Sequence, residues 1–140
     1  MEITANAIQT VNTGAPVVYT ETAIPGNCSI MHREGSGLAT LRGLTNQCRA
    51  RFRITFGANV ALPADATPVY PISLAIAING EPVSTTAMIS TPAAVSEFNS
   101  VSRTLFLDVP NGCCTQASVE NISTGPIDVQ NASLIVERVA

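Results

Sequence analysis

Apolar residues alternate with polar ones along this chain, and Gly, Pro, Asn and Asp cut the alternation into short pieces. Residues 47–62 carry the pattern furthest. Ala50, Phe52, Ile54 and Phe56 share one parity; Arg49, Arg51, Arg53 and Thr55 share the other. A period of two places successive side chains on opposite faces of an extended strand. An amphipathic helix needs a 3.6-residue apolar stripe, and no convincing one is present. The chain is expected to be all-β. Its 140 residues suit a single domain, residues 1–140.

Turn clusters divide the alternation. Residues 2–11, 17–22, 28–34, 38–42, 47–62, 72–78, 81–89, 95–109, 113–122 and 127–139 read as strand regions. Gly35-Ser36-Gly37 and Asn79-Gly80 are hairpin signals, because glycine and asparagine tolerate positive φ. Pro110-Asn111-Gly112 is a further turn, and Pro63, Pro68 and Pro71 mark a loop. Gly57 marks a bulge or bend within its strand. About nine or ten short strands at this spacing predict a β-sandwich or barrel. Residues 1–24 are read either as an N-terminal arm, donated to a neighbour through residues 2–11, or as ordinary outer strands.

Composition narrows the function. Hydrophobic residues make up 46% and charged residues 12%, against a usual charged share of about 25%. With so few charges, some apolar surface is expected to meet a partner. The net charge is -3, and all seven basic residues are arginines. That gives no electrostatic footprint for nucleic acid. The longest apolar stretches, near 71–78 and 134–139, fall far short of the ~20 residues of a membrane helix. No nucleic-acid or membrane partner is expected. Met1-Glu2 opens no basic, then apolar, leader, so cytoplasmic synthesis is expected. The carboxylates are scattered singly, without the spacing of a calcium loop. Asn27, Asn121 and Asn131 each begin an Asn-X-Ser pattern, with no acceptor role expected without a leader. Aromatic residues are only 4%, too few for a strong carbohydrate groove. The expectation is a non-enzymatic chain with no cofactor and no metal.

Three features stand out. Arg49, Arg51 and Arg53 place like charges at every second position of one strand face, where they repel. Either they are solvated or paired with carboxylates, or they form a recognition surface for carboxylate or phosphate. Cys28, Cys48, Cys113 and Cys114 are too sparse for a disulfide scaffold. They read as buried small hydrophobes, or as a bridge from Cys28 or Cys48 to one of the adjacent pair; two bridges would allow three connectivities. His32, beside Arg33 and Glu34, reads as a hydrogen-bonded structural histidine rather than a pH-sensitive contact.

The run Ile72-Ser73-Leu74-Ala75-Ile76-Ala77-Ile78-Asn79-Gly80-Glu81-Pro82-Val83 resembles a strand–turn–strand of TNF/C1q-like jelly rolls of bacterial origin. These include the C-terminal domain of the collagen-like exosporium glycoprotein of spores. Cys113–Asn121 and Ala132-Ser133-Leu134-Ile135-Val136-Glu137-Arg138 resemble their last strands, so the likeness spans roughly 47–140. The Gly-X-Y stalk of the spore glycoprotein is absent. His32-Arg33-Glu34-Gly35-Ser36-Gly37 and Leu41-Arg42-Gly43-Leu44 are similar to small virion-associated proteins of Firmicutes phages. The resemblance implies a jelly-roll β-sandwich that assembles as a homotrimer around a three-fold axis. It implies a structural protein on the virion surface, decorating or stabilising the head through the major capsid protein or another lattice. A spore-surface or appendage subunit, or a receptor- or glycan-binding tip, is the alternative. Arg49, Arg51, Arg53, Ile72, Leu74 and Ile76 are the candidate interface residues.

Overall fold

The structure is a computed structural model. It describes residues 1–66 and 68–140, and the side chain of Cys113 also lies outside the described residues. Among the described residues there are twelve strands: β1 (Glu2–Ala5), β2 (Gln9–Val11), β3 (Glu21–Ile24), β4 (Ile30–His32), β5 (Ala39–Gly43), β6 (Arg49–Ala61), β7 (Ile72–Ile78), β8 (Glu81–Pro82), β9 (Met88–Ser90), β10 (Asn99–Pro110), β11 (Gly112–Asn121) and β12 (Ile127–Arg138). The chain is all-β, as its alternation predicts. The count exceeds nine or ten because residues 2–11 and 81–89 each break. In the second, Pro82 lacks the N–H a ladder needs, and a 3-10 turn at Ser84–Thr86 follows.

Two antiparallel sheets pack into a jelly-roll sandwich. The first runs β10-β6-β12-β1-β3, with β2 also beside β12; the second runs β4-β5-β11-β7-β8, with β9 also beside β7. Between them lie Phe52, Ile54 and Phe56 of β6, Leu41 of β5, Val119 of β11 and Leu134 and Val136 of β12, all fully buried. Each large side chain so buried contributes about 1.5–3 kcal/mol relative to exposure. Ile72, Leu74 and Ile76 belong to this same core, each at 0% exposure. They are therefore not interface residues: their face packs against the chain's own first sheet. Ala75 and Ala77, on the opposite face of β7, are fully buried too.

The N-terminal region is a set of ordinary strands rather than an arm. β1 pairs with β12, Glu2 facing Ile135 and Ala5 facing Ala132, and with β3 on its other side. Of the predicted strand 17–22, only Glu21 and Thr22 lie in a ladder, as the start of β3. Val17 and Tyr19 are buried, but Tyr19 makes only a single bridge, to Ser36. The strand comes later, as β3, with little burial.

The turns explain the connections. Asn79 (φ 53°) and Gly80 (φ 85°) both adopt left-handed backbone, as a tight hairpin between β7 and β8 requires. Pro110-Asn111-Gly112 is a turn of another kind, carrying the chain from the first sheet to the second. Gly43 lies beneath it, where a Cβ would collide with the Pro110 carbonyl. The irregularity expected at Gly57 sits instead on the partner strand: β6 keeps register with β10 throughout, and β12 bulges between Gln130 and Ser133.

Candidate functional site: the outer face of the first sheet

The arginines of β6 point away from the core, and the ladder brings carboxylates to them. Asp108 on β10 lies directly opposite Arg51, and Glu137 on β12 directly opposite Arg53. Arg51 donates twice to Asp108, Nε to Oδ1 at 2.8 Å and Nη2 to Oδ2 at 3.1 Å. Arg49 Nε reaches Asp108 Oδ2 at 3.2 Å. Arg53 donates through Nε to Glu137 Oε1 at 2.6 Å and through Nη2 to the same oxygen. The like-charge repulsion along β6 is thus offset by cross-strand opposite charge.

Titration follows this geometry. The hydrogen bond from Arg51 is the largest influence on Asp108; it holds that carboxyl below the ordinary aspartate value, aided by the charges of Arg51 and Arg49 and opposed by desolvation. The same bond stabilises the Arg51 cation. Three arginines against two carboxylates leave this strip with a residual charge of +1 (3 − 2). A phosphate or carboxylate arriving here would compete with partners already in place.

Past the arginines the face mixes exposed apolar residues with polar ones. Phe106 stands opposite Arg53 and is 59% exposed. The next row runs Thr104, Thr55, Ile135, Glu2 and Ile24 across five strands. Ile24 is 56% and Ile135 38% exposed. Thr55 and Thr104 share a hydrogen bond at 3.2 Å. Beyond them, a depression of about 450 Å³ opens where β12 bulges against β1 and β3. The sequence reading missed Phe106, Ile135 and Ile24. Their signal was present for the first two: each is a large apolar residue at a position whose neighbours two away are polar.

The cysteines depart from both expectations. Cys28 and Cys48 are exposed and free, so neither is a buried hydrophobe and neither bridges the adjacent pair. Cys114 is disulfide-bonded. The expectation for Cys113 lies outside the described residues as regards its side chain. His32 holds the β4–β5 hairpin: its Nε2 donates to the Ser36 carbonyl at 2.9 Å, and its ring meets Tyr19 edge-on at 6.2 Å between centroids. No group of three or more His, Cys, Asp or Glu among the described residues could hold a metal ion. No helix among them is long and apolar enough to cross a membrane.

No protein-family model and no curated protein matches this chain. Solved structures do. The globular domain of zebrafish complement 1qA superposes with a TM-score of 0.62 at 11% identity, covering 96% of this chain and 93% of that one. The chain has a C1q/TNF-like jelly-roll fold. The sugar-binding C-terminal domain of EclA aligns at 14% identity over 95% of this chain and 80% of that one, with a TM-score of 0.42. A family 35 carbohydrate-binding module from Cellvibrio japonicus aligns at 11% identity over 100% and 97%, with a TM-score of 0.39. These last two are too distant to bear on the site. The C1q likeness, at its low identity, speaks for the fold alone.

Proposed function

We propose that this chain is a structural module that assembles as a homotrimer through the outer face of its first sheet and decorates the head of a phage virion. The observation that carries the reading is the pairing, on one sheet face, of exposed Phe106, Ile24 and Ile135 with arginines whose charge is already neutralised. Such a face is costly to leave in water, and its arginines carry their own carboxylates into a contact; Glu2, between Ile135 and Ile24, is the charge that a partner copy would have to meet. A three-fold arrangement of like faces would close it without an open edge. The low charge content of the chain supports the same reading, and so does the jelly-roll fold. The virion assignment rests on the phage resemblance of residues 32–37 and 41–44. The rim of Arg49 and its neighbours is the part of the module suited to an acidic lattice.

Light scattering on the purified chain tests the assembly. The expected mass is three copies, falling to one for Phe106→Asp with the circular-dichroism melt retained. A monomeric wild type removes the trimer; a trimer untouched by Phe106→Asp moves its interface elsewhere. Mass spectrometry of particles induced from the host that carries the gene tests the virion role. Purified particles should contain the chain at a fixed ratio to the major capsid protein. Its absence from them overturns that role.

The spore-surface reading has one observation in its favour. Cys28 and Cys48 are exposed thiols, which an oxidising surface would convert to links between chains. Reductant-sensitive polymers on a non-reducing gel would favour that reading over the virion.

A further inference from the structure

The two ends of the sandwich differ in sign. Register fixes which residues share an end. Arg49 and Arg51 open β6, Arg138 closes β12 opposite Phe52, and Arg42 sits beside Gly43, which faces Gly112. The loops join this end together: Arg138 Nη1 donates to the Leu44 carbonyl at 2.6 Å, and the Asn111 N–H donates to the Cys48 carbonyl at 3.0 Å. Four of the seven arginines therefore gather here with one side-chain carboxylate, Asp108.

The opposite end carries the reverse. Asp65 lies in the loop after β6, and Glu97 stands beside Ser96, whose N–H donates to the Leu62 carbonyl. Asp128 begins β12 facing Ala61, and Glu120 lies at the end of β11. Of the other described arginines, Arg33 sits beside Glu34 in the turn between β4 and β5, on the side of β5 away from Gly43, where the two charges offset, and Arg103 faces Phe56 in mid-sheet. Asp65 and Asp128 both help raise the Tyr70 phenol, after the larger effect of its desolvation, so the two carboxylates share one neighbourhood.

β6 has thirteen residues, which at roughly 3.3 Å per residue separates the ends by roughly 40 Å. That is several Debye lengths at physiological salt, about 8 Å each. Each end therefore presents its own sign to an approaching molecule.

We infer that copies of this chain associate head to tail, the arginine end of one against the carboxylate end of the next. This contact is distinct from the sheet-face contact proposed above and does not depend on it, since monomers and trimers alike would carry both ends. A heterologous contact of this kind does not close on itself and propagates into stacks. Contact between two arginine ends would be repulsive, although the free thiols among the described residues, Cys28 and Cys48, belong to that end. Stacking is therefore expected to be independent of reductant.

Sedimentation velocity across ionic strength tests this, with reductant present throughout. Raising salt from about 0.01 M to about 1 M shortens the Debye length from ~30 Å to ~3 Å. The stacks should dissociate over that range, with association at least about tenfold weaker at the top. Arg42→Glu/Arg49→Glu should abolish stacking, and so should Asp65→Lys/Glu97→Lys. Mixing the two variants should restore it, because each then offers an end complementary to the other. Both variants must first keep the wild-type melt. Absence of association at low salt overturns the inference. So does association indifferent to both charge reversals, or a mixture that stays dissociated. The mass that persists at high salt reports the sheet-face trimer separately.

Discussion

Strands β6 and β7 alternate alike in sequence and meet opposite surroundings. On each, one face supplies large aliphatic or aromatic residues to the core: Phe52, Ile54 and Phe56 from β6, and Ile72, Leu74 and Ile76 from β7. Their other faces diverge. β6 presents Arg49, Arg51 and Arg53, each with its charge at the surface. β7 presents Ala75 and Ala77, which are fully buried. Alternation tells which residues share a face, but not whether that face is covered. The size and charge of the outward residues carry that information. A guanidinium is almost never fully buried without a partner, whereas an alanine is buried at no electrostatic cost.

The largest expected effect separates the two strands. Leu74→Ala should lower unfolding stability by about 2–5 kcal/mol, the usual cost of emptying a core leucine site. Arg51→Ala should leave the urea midpoint near that of the wild type, because exposed ion pairs contribute little. Comparing the two midpoints is the measurement. An unchanged midpoint for Leu74→Ala would return β7 to the surface and revive Ile72, Leu74 and Ile76 as contact residues.

The same contrast explains what could be read from sequence. β6, β7 and β12 were legible because large apolar residues recur at every second position over long runs, although burial keeps that period only along β6: β7 is buried on both faces and β12 shifts at its bulge. The Asn79-Gly80 hairpin was legible because its turn needs two residues tolerant of positive φ. β3 was not: Glu21–Ile24 has no buried face, and it is a strand only because β1 offers it an edge. Asn111-Gly112 was read correctly as a turn, but its role in changing sheets depends on packing remote in sequence. The arginine strip was legible as a face. Its neutralisation was not, since Asp108 and Glu137 lie 57 and 84 residues away from Arg51 and Arg53.

Asn121 gives the next effect in size and sharpens the point about covered faces. The sequence offers it as a glycan acceptor pattern, yet it is fully buried. Its amide donates to the carbonyls of Val11 at 2.9 Å and Gly125 at 3.0 Å. Its Oδ1 accepts from the Ser123 N–H at 2.8 Å. One side chain thus ties β2 to the turn between β11 and β12. Asn121→Ala strands these buried groups and should cost about 1–3 kcal/mol, read as a lower urea midpoint. A midpoint matching the wild type would mean that water replaces the amide and that this side of the sandwich is open.

The smallest effect returns to the arginine face and depends on pH. Asp108 has a folded-state pKa below its ordinary value of 3.8, first because Arg51 donates to it. A carboxyl depressed on folding stabilises the native state fully above its unfolded value. That contribution fades as pH falls through the unfolded value and is gone below the folded one. Asp108→Asn keeps the shape and removes the titration. The variant should therefore be slightly less stable than the wild type near neutral pH. Urea midpoints taken from about pH 7 down to about pH 2 should converge as the wild-type carboxyl protonates. Because Asp108 is exposed, added salt should shrink the neutral-pH difference as well. A difference that grows on acidification would have the wrong sign for a depressed carboxyl. It would mean that Asp108 is destabilised where it stands, and that Arg49 and Arg51 are free for a partner.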